Sequence, residues 1–212
     1  HGADKLRAGV SHYAEVYDEC FESRRLTVKR VLEIGIRSSV SLRMWAEYFP
    51  EAEIHGIDCD PVCRQHASER IHVHIGLQED AQFLREAVIP RGPFDVIVDD
   101  GGHRMAQQQV SLVELWPTVA PGGAYVVEDL HTSYFPDHAD QGRPTTVESL
   151  SQIVEGLNFC AIKEFLSRNR TQPVHGTAGA VLDDLWSAKF SGWICVLQKQ
   201  SLADIHPRPS AG

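Results

Sequence analysis

The chain has 212 residues, 42% of them apolar, which is enough for a substantial core and fits one large domain better than two. Acidic residues number 29 against 20 basic, a formal net charge of −9, and this argues against nucleic acid as a partner, because binding a phosphate backbone leans on clustered Lys and Arg. No apolar stretch approaches the ~18 residues that would span a bilayer, so no membrane partner is expected.

The five cysteines (Cys20, Cys59, Cys63, Cys160, Cys195) are odd in number and contain no C-x-x-C, which suggests neither a disulfide framework nor a zinc site. A reducing compartment fits best. With a polar start from His1 to Arg7 that is unlike a secretory signal, the chain reads as cytoplasmic.

Residues 1 to about 28, with Lys5, His12 and Tyr13, read as an N-terminal helical extension. From Val31 onward, short apolar runs alternate with helical periodicity. Val31 to Ile34 is a strand, and Leu42, Trp45, Ala46 and Phe49 then share one helix face at i, i+3, i+4, i+7. Ile54 to Asp58 makes a second strand, Ile71 to Ile75 a third and Phe94 to Val98 a fourth. A helix with Ala106, Val110 and Val113 on one side follows. Pro121-Gly122-Gly123 then supplies the turn that starts a fifth strand, Ala124 to Val127. Strands alternating with helices imply βαβ units, hence a mostly parallel sheet with right-handed crossovers.

After Asp129 the regularity breaks, and His131 to Pro144, with Pro136, Gly142 and Pro144, reads as a lid loop (131–145). Thr146 to Leu157 is helical, with Val147, Leu150, Ile153, Val154 and Leu157 in a stripe. Leu185 to Phe190 and Trp193 to Leu197 flank Ser191-Gly192, a two-residue hairpin signal. The expected fold is therefore α/β, a doubly wound, Rossmann-like sheet of seven mostly parallel strands closed by a C-terminal antiparallel hairpin. One domain spans residues 1–200, and residues 201–212 form a flexible tail.

Two of the strands end in chemistry. The fourth runs into Asp99-Asp100-Gly101-Gly102-His103 and the fifth into Glu128-Asp129-Leu130-His131. Ligands of open α/β sheets bind outside the carboxyl ends of the strands, so these ends bring four carboxylates and one or two imidazoles to one spot. That composition suits a hard metal ion beside a proton acceptor. Alternation along the strand aims Asp99 opposite Asp100, toward a role in holding the loop. His72 and His74 on the third strand lack a partner pattern.

Near the first strand, Gly35 follows Glu33-Ile34 and lets a ligand approach the backbone where the next helix offers free N–H groups. Arg37 and Val40 occupy the second and third glycine positions of G-x-G-x-x-G, which counts against a pyrophosphate-bearing cofactor. Asp58 closes the second strand, where a carboxylate can accept from the hydroxyls of a ribose. Gln78, beside Glu79 and Asp80, could reach an adenine edge or its ribose. The plainer readings are that Asp58 caps the helix near Pro61 and that Gln78 is a turn residue.

Gly2-Ala3-Asp4-Lys5, His12-Tyr13, Val31-Leu32-Glu33-Ile34-Gly35, Ser41-Leu42-Arg43-Met44-Trp45, Gly56-Ile57-Asp58, Phe94 to His103 and Pro121 to Pro136 together carry a resemblance over most of the chain. The chain resembles the class I S-adenosylmethionine-dependent methyltransferases, and within them the metal-dependent sugar O-methyltransferases of glycosylated natural products, the macrolide and rhamnosyl O-methyltransferases. The Asp-Asp-Gly-Gly-His and Val-Glu-Asp-Leu-His-Thr-Ser-Tyr blocks are its most specific parts. The family's loop after the first strand is usually richer in glycine than Gly35-Ile36-Arg37-Ser38-Ser39-Val40-Ser41.

The resemblance implies S-adenosylmethionine and Mg²⁺ as cofactors, Asp100, Glu128 and Asp129 as metal ligands, and His103 as general base. On the cofactor side it points to Glu33, Gly35, Asp58, Gln78 and Asp99. The implied acceptor is a small-molecule glycoside of antibiotic biosynthesis, chelated through a vicinal diol, with His131 beside it; Tyr134 and Trp116 are candidates for its pocket wall, the plainer reading of an aromatic near a sheet edge being core. A homo-oligomer is expected. Two alternatives are a catechol-like diol as acceptor and a cofactor-binding interaction domain without catalysis.

Overall fold

The computed structural model describes residues 13–161, 181 and 183–201. Lys5, His12 and the tail beyond residue 201 lie outside them. Seven strands, β1 (Arg30–Ile34), β2 (Glu53–Asp58), β3 (Ile71–Ile75), β4 (Phe94–Asp99), β5 (Val119–Val127), β6 (Leu185–Ser191) and β7 (Ile194–Lys199), form one sheet. Its order is β3-β2-β1-β4-β5-β7-β6. The first five strands pair in parallel, and β7 joins β5 antiparallel with β6 outside it. The order reverses between β1 and β4, and this switch point opens a crevice at the carboxyl ends of both.

Period-2 alternation sends successive strand residues to opposite faces, so the sheet carries two cores. Leu32, Ile34, Ile57, Ile97, Tyr125 and Val127 pack on one face against Leu84, Val88, Leu112, Leu115, Leu150 and Ile153. On the other face Val31, Ile54, Val96 and Val126 meet Tyr17, Phe21, Leu42, Trp45 and Phe49. The second layer is built by α1 (Tyr13–Phe21) and α2 (Val40–Tyr48), where Trp45 stacks on Phe49 and meets the Tyr17 ring edge-on at 4.9 Å. The first is built by α3 (Ala81–Phe83) with the π-helical turn Leu84–Val88, by α4 (Met105–Leu115), and by α5 (Thr146–Ala161), which buries Leu150 and Ile153 of the expected stripe.

Three local expectations are corrected and, for Trp116, one pair of alternatives is decided. The strand expected from Ala124 begins at Val119, because Pro121-Gly122-Gly123 is an irregularity inside β5, where the register passes from Phe94↔Val119 to Val96↔Ala124. The buried side of α4 is Met105, Gln108, Gln109, Ser111, Leu112 and Leu115, one step round from Ala106, Val110 and Val113, because the three polar side chains among them turn inward to hydrogen-bond. The hairpin turn is Gly192-Trp193, since Ser191 and Ile194 are still paired. Trp116 is a core residue, 1% exposed, and donates its indole N–H to Asp184 Oδ1 at 2.6 Å, so it walls no acceptor pocket.

The segment after Asp129 folds into two 3₁₀ turns, Leu130–Tyr134 and Pro136–His138. Asp140 ties it to the start of α4 by accepting from the Ala106 N–H at 2.7 Å and from Arg104 Nη2 at 3.0 Å.

Candidate active site

The loop after β4 is shaped by a buried polar network. Asp99 is fully buried and accepts from Gln78 Nε2 at 3.0 Å and from the Tyr125 hydroxyl at 3.1 Å. Burial pushes its carboxyl up to about 6, against the lowering effect of those hydrogen bonds and of nearby His103. The Gln78 amide also donates to Ser111 Oγ and accepts from the Gly102 N–H at 2.8 Å. Both groups thus hold the turn that presents Asp100 and His103.

Gly35 has a close neighbour, but it is this same loop. Its φ is +93°, and an added Cβ would stand 2.1 Å from the carbonyl oxygen of Asp100. Only glycine fits, so the β1 and β4 loops are packed backbone to backbone.

Beside it, β5 ends in Glu128, which is buried, and Asp129, which is partly open to the cleft. Each carboxylate accepts from a tyrosine of α1: Glu128 Oε1 from Tyr17 and Asp129 Oδ1 from Tyr13 at 2.7 Å. Both phenols are pushed up, first by burial and then by these carboxylates, so they stay protonated donors. Gln108 of α4 adds a bond from its Nε2 to the Glu128 carbonyl oxygen at 3.0 Å.

His103 faces this pair. Its Nε2 lies 3.4 Å from Asp129 Oδ2 and 3.9 Å from Asp100 Oδ1. One ligand atom each from Asp100, His103 and Asp129 fall within 4.8 Å of one another. His103 and Asp129 both adopt left-handed backbone, with φ of +57° and +55°. For non-glycine residues each costs on the order of 1–2 kcal/mol, and such strain persists where the surroundings impose it for function. The Thr132 hydroxyl shares its one proton between the Asp129 carbonyl at 2.8 Å and the His103 carbonyl at 3.3 Å, which draws the two strained residues together.

The predicted site residues therefore separate. Asp100, Asp129 and His103 converge on the cleft, whereas Glu128 stands behind them on Tyr17. His131 lies at the rim, 4.0 Å from Asp129 Oδ1 and with its ring 4.4 Å from that of Trp193. Tyr134 is 74% exposed. Glu33 is buried and accepts from the Trp45 indole at 3.2 Å.

Asp58 does not cap the following turn, a task that Asp60 performs through the Val62 N–H. Its own carboxylate accepts the N–H groups of Ile36, Arg37 and Asp60. Burial raises it, but these three bonds and one from the Cys63 thiol outweigh burial and leave it below the usual carboxylate range, ionised.

Carboxylate oxygens suit Mg²⁺, and Asp100 and Asp129 bring theirs together in the cleft with His103 beside them. The donor set fits that ion. Sequence reading missed Tyr17 and Gln108. Tyr17 follows Tyr13 at i+4, which places both hydroxyls on one helix face, and Gln108-Gln109 interrupts an otherwise apolar helical register.

A family profile described as a methyltransferase domain matches residues 32–130. The chain is 35% identical over 193 residues to the 8-demethyl-8-alpha-L-rhamnosyl tetracenomycin-C 2'-O-methyltransferase of Streptomyces olivaceus, covering 85% of this chain and 50% of that protein. It is 40% identical over 154 residues to the mycinamicin VI 2''-O-methyltransferase of Micromonospora griseorubida, covering 66% of this chain and 38% of the relative. Among solved structures, the MycE methyltransferase from the mycinamycin biosynthetic pathway, in complex with Mg and SAH, superposes with a TM-score of 0.80 at 28% identity, over 94% of this chain and 52% of that one. The chain thus spans half or less of the length of these curated relatives.

Proposed function

Because this chain belongs to the class I methyltransferases, in the group of sugar O-methyltransferases of antibiotic pathways, we propose that it methylates a sugar hydroxyl of a glycosylated natural product, using S-adenosylmethionine and Mg²⁺. The observation that carries this reading is the convergence of Asp100, Asp129 and His103 at the switch point of the sheet. When bound, the cation supplies Lewis acidity of the kind that lowers the pKa of water to ~7 in favourable sites.

Asp100 and Asp129 hold the ion, with Glu128 as the third carboxylate. Tyr13 and Tyr17 orient Asp129 and Glu128, the support layer that such sites need. His103 Nε2 accepts the proton of the hydroxyl as its oxygen attacks the methyl carbon and the sulfur–carbon bond breaks. A positioned base of this kind is worth ~100- to 10,000-fold in rate. Asp58 accepts from the ribose hydroxyls of the cofactor and Gly35 lies along it. Glu33, Gln78 and Asp99 brace that side of the crevice. His131 and Tyr134 meet the acceptor, residues 131–145 close over it, and the single domain runs to about residue 200. The protein works as a homo-oligomer in the cytoplasm. Among the described residues no helix is long and apolar enough to cross a membrane.

The test is methyl transfer from labelled S-adenosylmethionine to a panel of rhamnosylated and macrolide glycosides, with Mg²⁺ and with chelator. Product that disappears on chelation and returns with Mg²⁺ is expected. Transfer undiminished by chelator would overturn the metal's role, and methylation of catechols with none of glycosides would overturn the sugar assignment.

A further inference from the structure

At the opposite, amino-terminal end of the parallel strands, three imidazoles crowd one face of the sheet edge. His55 of β2 is in register with His72 of β3, and His74 follows two residues on, so the pleat sends all three to the same side. Their ring centroids lie 4.9 Å (His55–His72) and 5.4 Å (His55–His74) apart. Glu53, two residues before His55, shares that face, with Oε2 4.0 Å from His55 Nε2. One ligand atom each from Glu53, His55 and His72 lie within 4.8 Å of one another. Arg30, Arg91 and the turn Pro90–Gly92 complete a cleft of about 470 Å³ over them.

His55 is the informative member. It is only 5% exposed, and its Nε2 is buried with no hydrogen-bond partner. Its Nδ1 is taken, 3.1 Å from His74 Nε2. In the tautomer whose Nδ1–H donates to His74, Nε2 carries a lone pair, with Glu53 Oε2 4.0 Å from it and a ligand atom of His72 in the same cluster. That is how metal-ligating histidines are set up, one nitrogen fixed by a neighbour and the other left for the ion.

We propose that Glu53, His55 and His72 form a second metal site, one for a borderline transition-metal ion such as Zn²⁺, with His74 as a positioning residue behind His55. Imidazole donors select this class of ion over Mg²⁺. Arg30 Nε lies 3.7 Å from Glu53 Oε2, so Glu53 would share its carboxylate between that guanidinium and the ion. Zinc–nitrogen bonds of about 2.0–2.1 Å ask the donors to draw closer than they stand. Exposed Glu53 and half-exposed His72 can do so by side-chain rotation while buried His55 stays. Three protein ligands leave the fourth position open to the cleft, and the ion would pin edge strand β3 to β2.

The experiment titrates Co²⁺, whose visible absorption reports tetrahedral coordination, and then Zn²⁺ into metal-free protein carrying Asp100→Asn and Asp129→Asn, so that the carboxylate cleft contributes nothing. One equivalent of Co²⁺ with an absorption band, displaced by Zn²⁺ and untouched by excess Mg²⁺, is expected. On the same background His72→Ala should weaken binding at least ~100-fold, and His74→Ala ~10- to 100-fold. Zn²⁺ should raise Tm in the parent and fail to do so in His72→Ala. Exposed Glu53→Gln, whose fold is not at risk, repeats the test with a loss of at least ~10-fold. Absence of the band, or Zn²⁺ affinity unchanged in both His72→Ala and Glu53→Gln, would overturn the site.

Discussion

At the carboxyl end of the sheet two carboxylates and the loop that carries His103 are held by groups from other elements, whereas at the amino end three imidazoles mostly hold one another. Asp129 leans on Tyr13, Glu128 on Tyr17 and Gln108, and the His103 loop on Gln78 and Thr132. His55, His72 and His74 are joined by ring-to-ring contacts and one ring-to-ring hydrogen bond, with Phe94 edge-on to His55 and Glu53 beside it. A support layer with two left-handed residues belongs where atoms must keep their places through a reaction. A mutually packed cluster is enough where an ion has only to be gripped.

The sharpest way to break this contrast is His103→Ala. We expect turnover to fall ~100- to 10,000-fold while calorimetry shows S-adenosylmethionine binding retained. Full activity would remove His103 as the base. Next comes Asp129→Asn, which should weaken Mg²⁺ dependence at least ~10-fold and lower the rate with it, while leaving Co²⁺ at the histidine cluster unaffected. An unchanged Mg²⁺ titration would take Asp129 out of the ligand set. Tyr17→Phe asks about the layer behind: if Glu128 is a ligand, Mg²⁺ affinity drops about 10-fold. If only stability falls, by roughly 1–3 kcal/mol, Glu128 is a strut and the two ends of the sheet differ less than drawn above.

The smallest effect is read in acid and has opposite signs at the two ends. Burial raises Asp99 to about 6, so between the usual carboxylate range and that value the folded protein binds a proton that the unfolded chain has released. Its contribution therefore declines as pH rises from ~4 to ~6, by at most about 3 kcal/mol. Burial, with help from His74, lowers His55 to about 3, so its contribution is full above the ordinary histidine value and is lost as pH falls from there toward 3. Denaturant unfolding across pH 4 to 7 should show Asp99→Asn removing the first slope and His55→Asn the second. Slopes identical to the parent's in both variants would contradict both environments.

Much of this was legible in the chain. Five parallel strands, the hairpin and the Asp100, His103, Glu128 and Asp129 ends follow from apolar runs stopped by acidic residues, a local signal. What stayed hidden depends on distance. Tyr17 meets Glu128 across 111 residues, and no periodicity encodes that. The inward turn of Gln108, Gln109 and Ser111 arises because their partners, the carbonyls of Glu128, Pro144 and Gln107, hydrogen-bond in the interior. That hydrogen bonding overrides the apolar register of α4. Pro121-Gly122-Gly123 reads as a turn because its composition is one, yet the sheet absorbs it as a bulge. His72 and His74 have no pattern along their own strand, and only the register with His55 gives them one.

The reach of α1 also sets a timetable. Tyr13 is made 116 residues before the aspartate it holds. At roughly 5–20 residues per second, its hydroxyl waits on the order of ten seconds on the ribosome for that partner. Until β5 has emerged and docked, the two tyrosines have nothing to grip, and the carboxylate pocket has no floor on that side. A nascent chain stalled short of residue 129 lacks the carboxylate that Tyr13 holds, so it has no way to assemble the site.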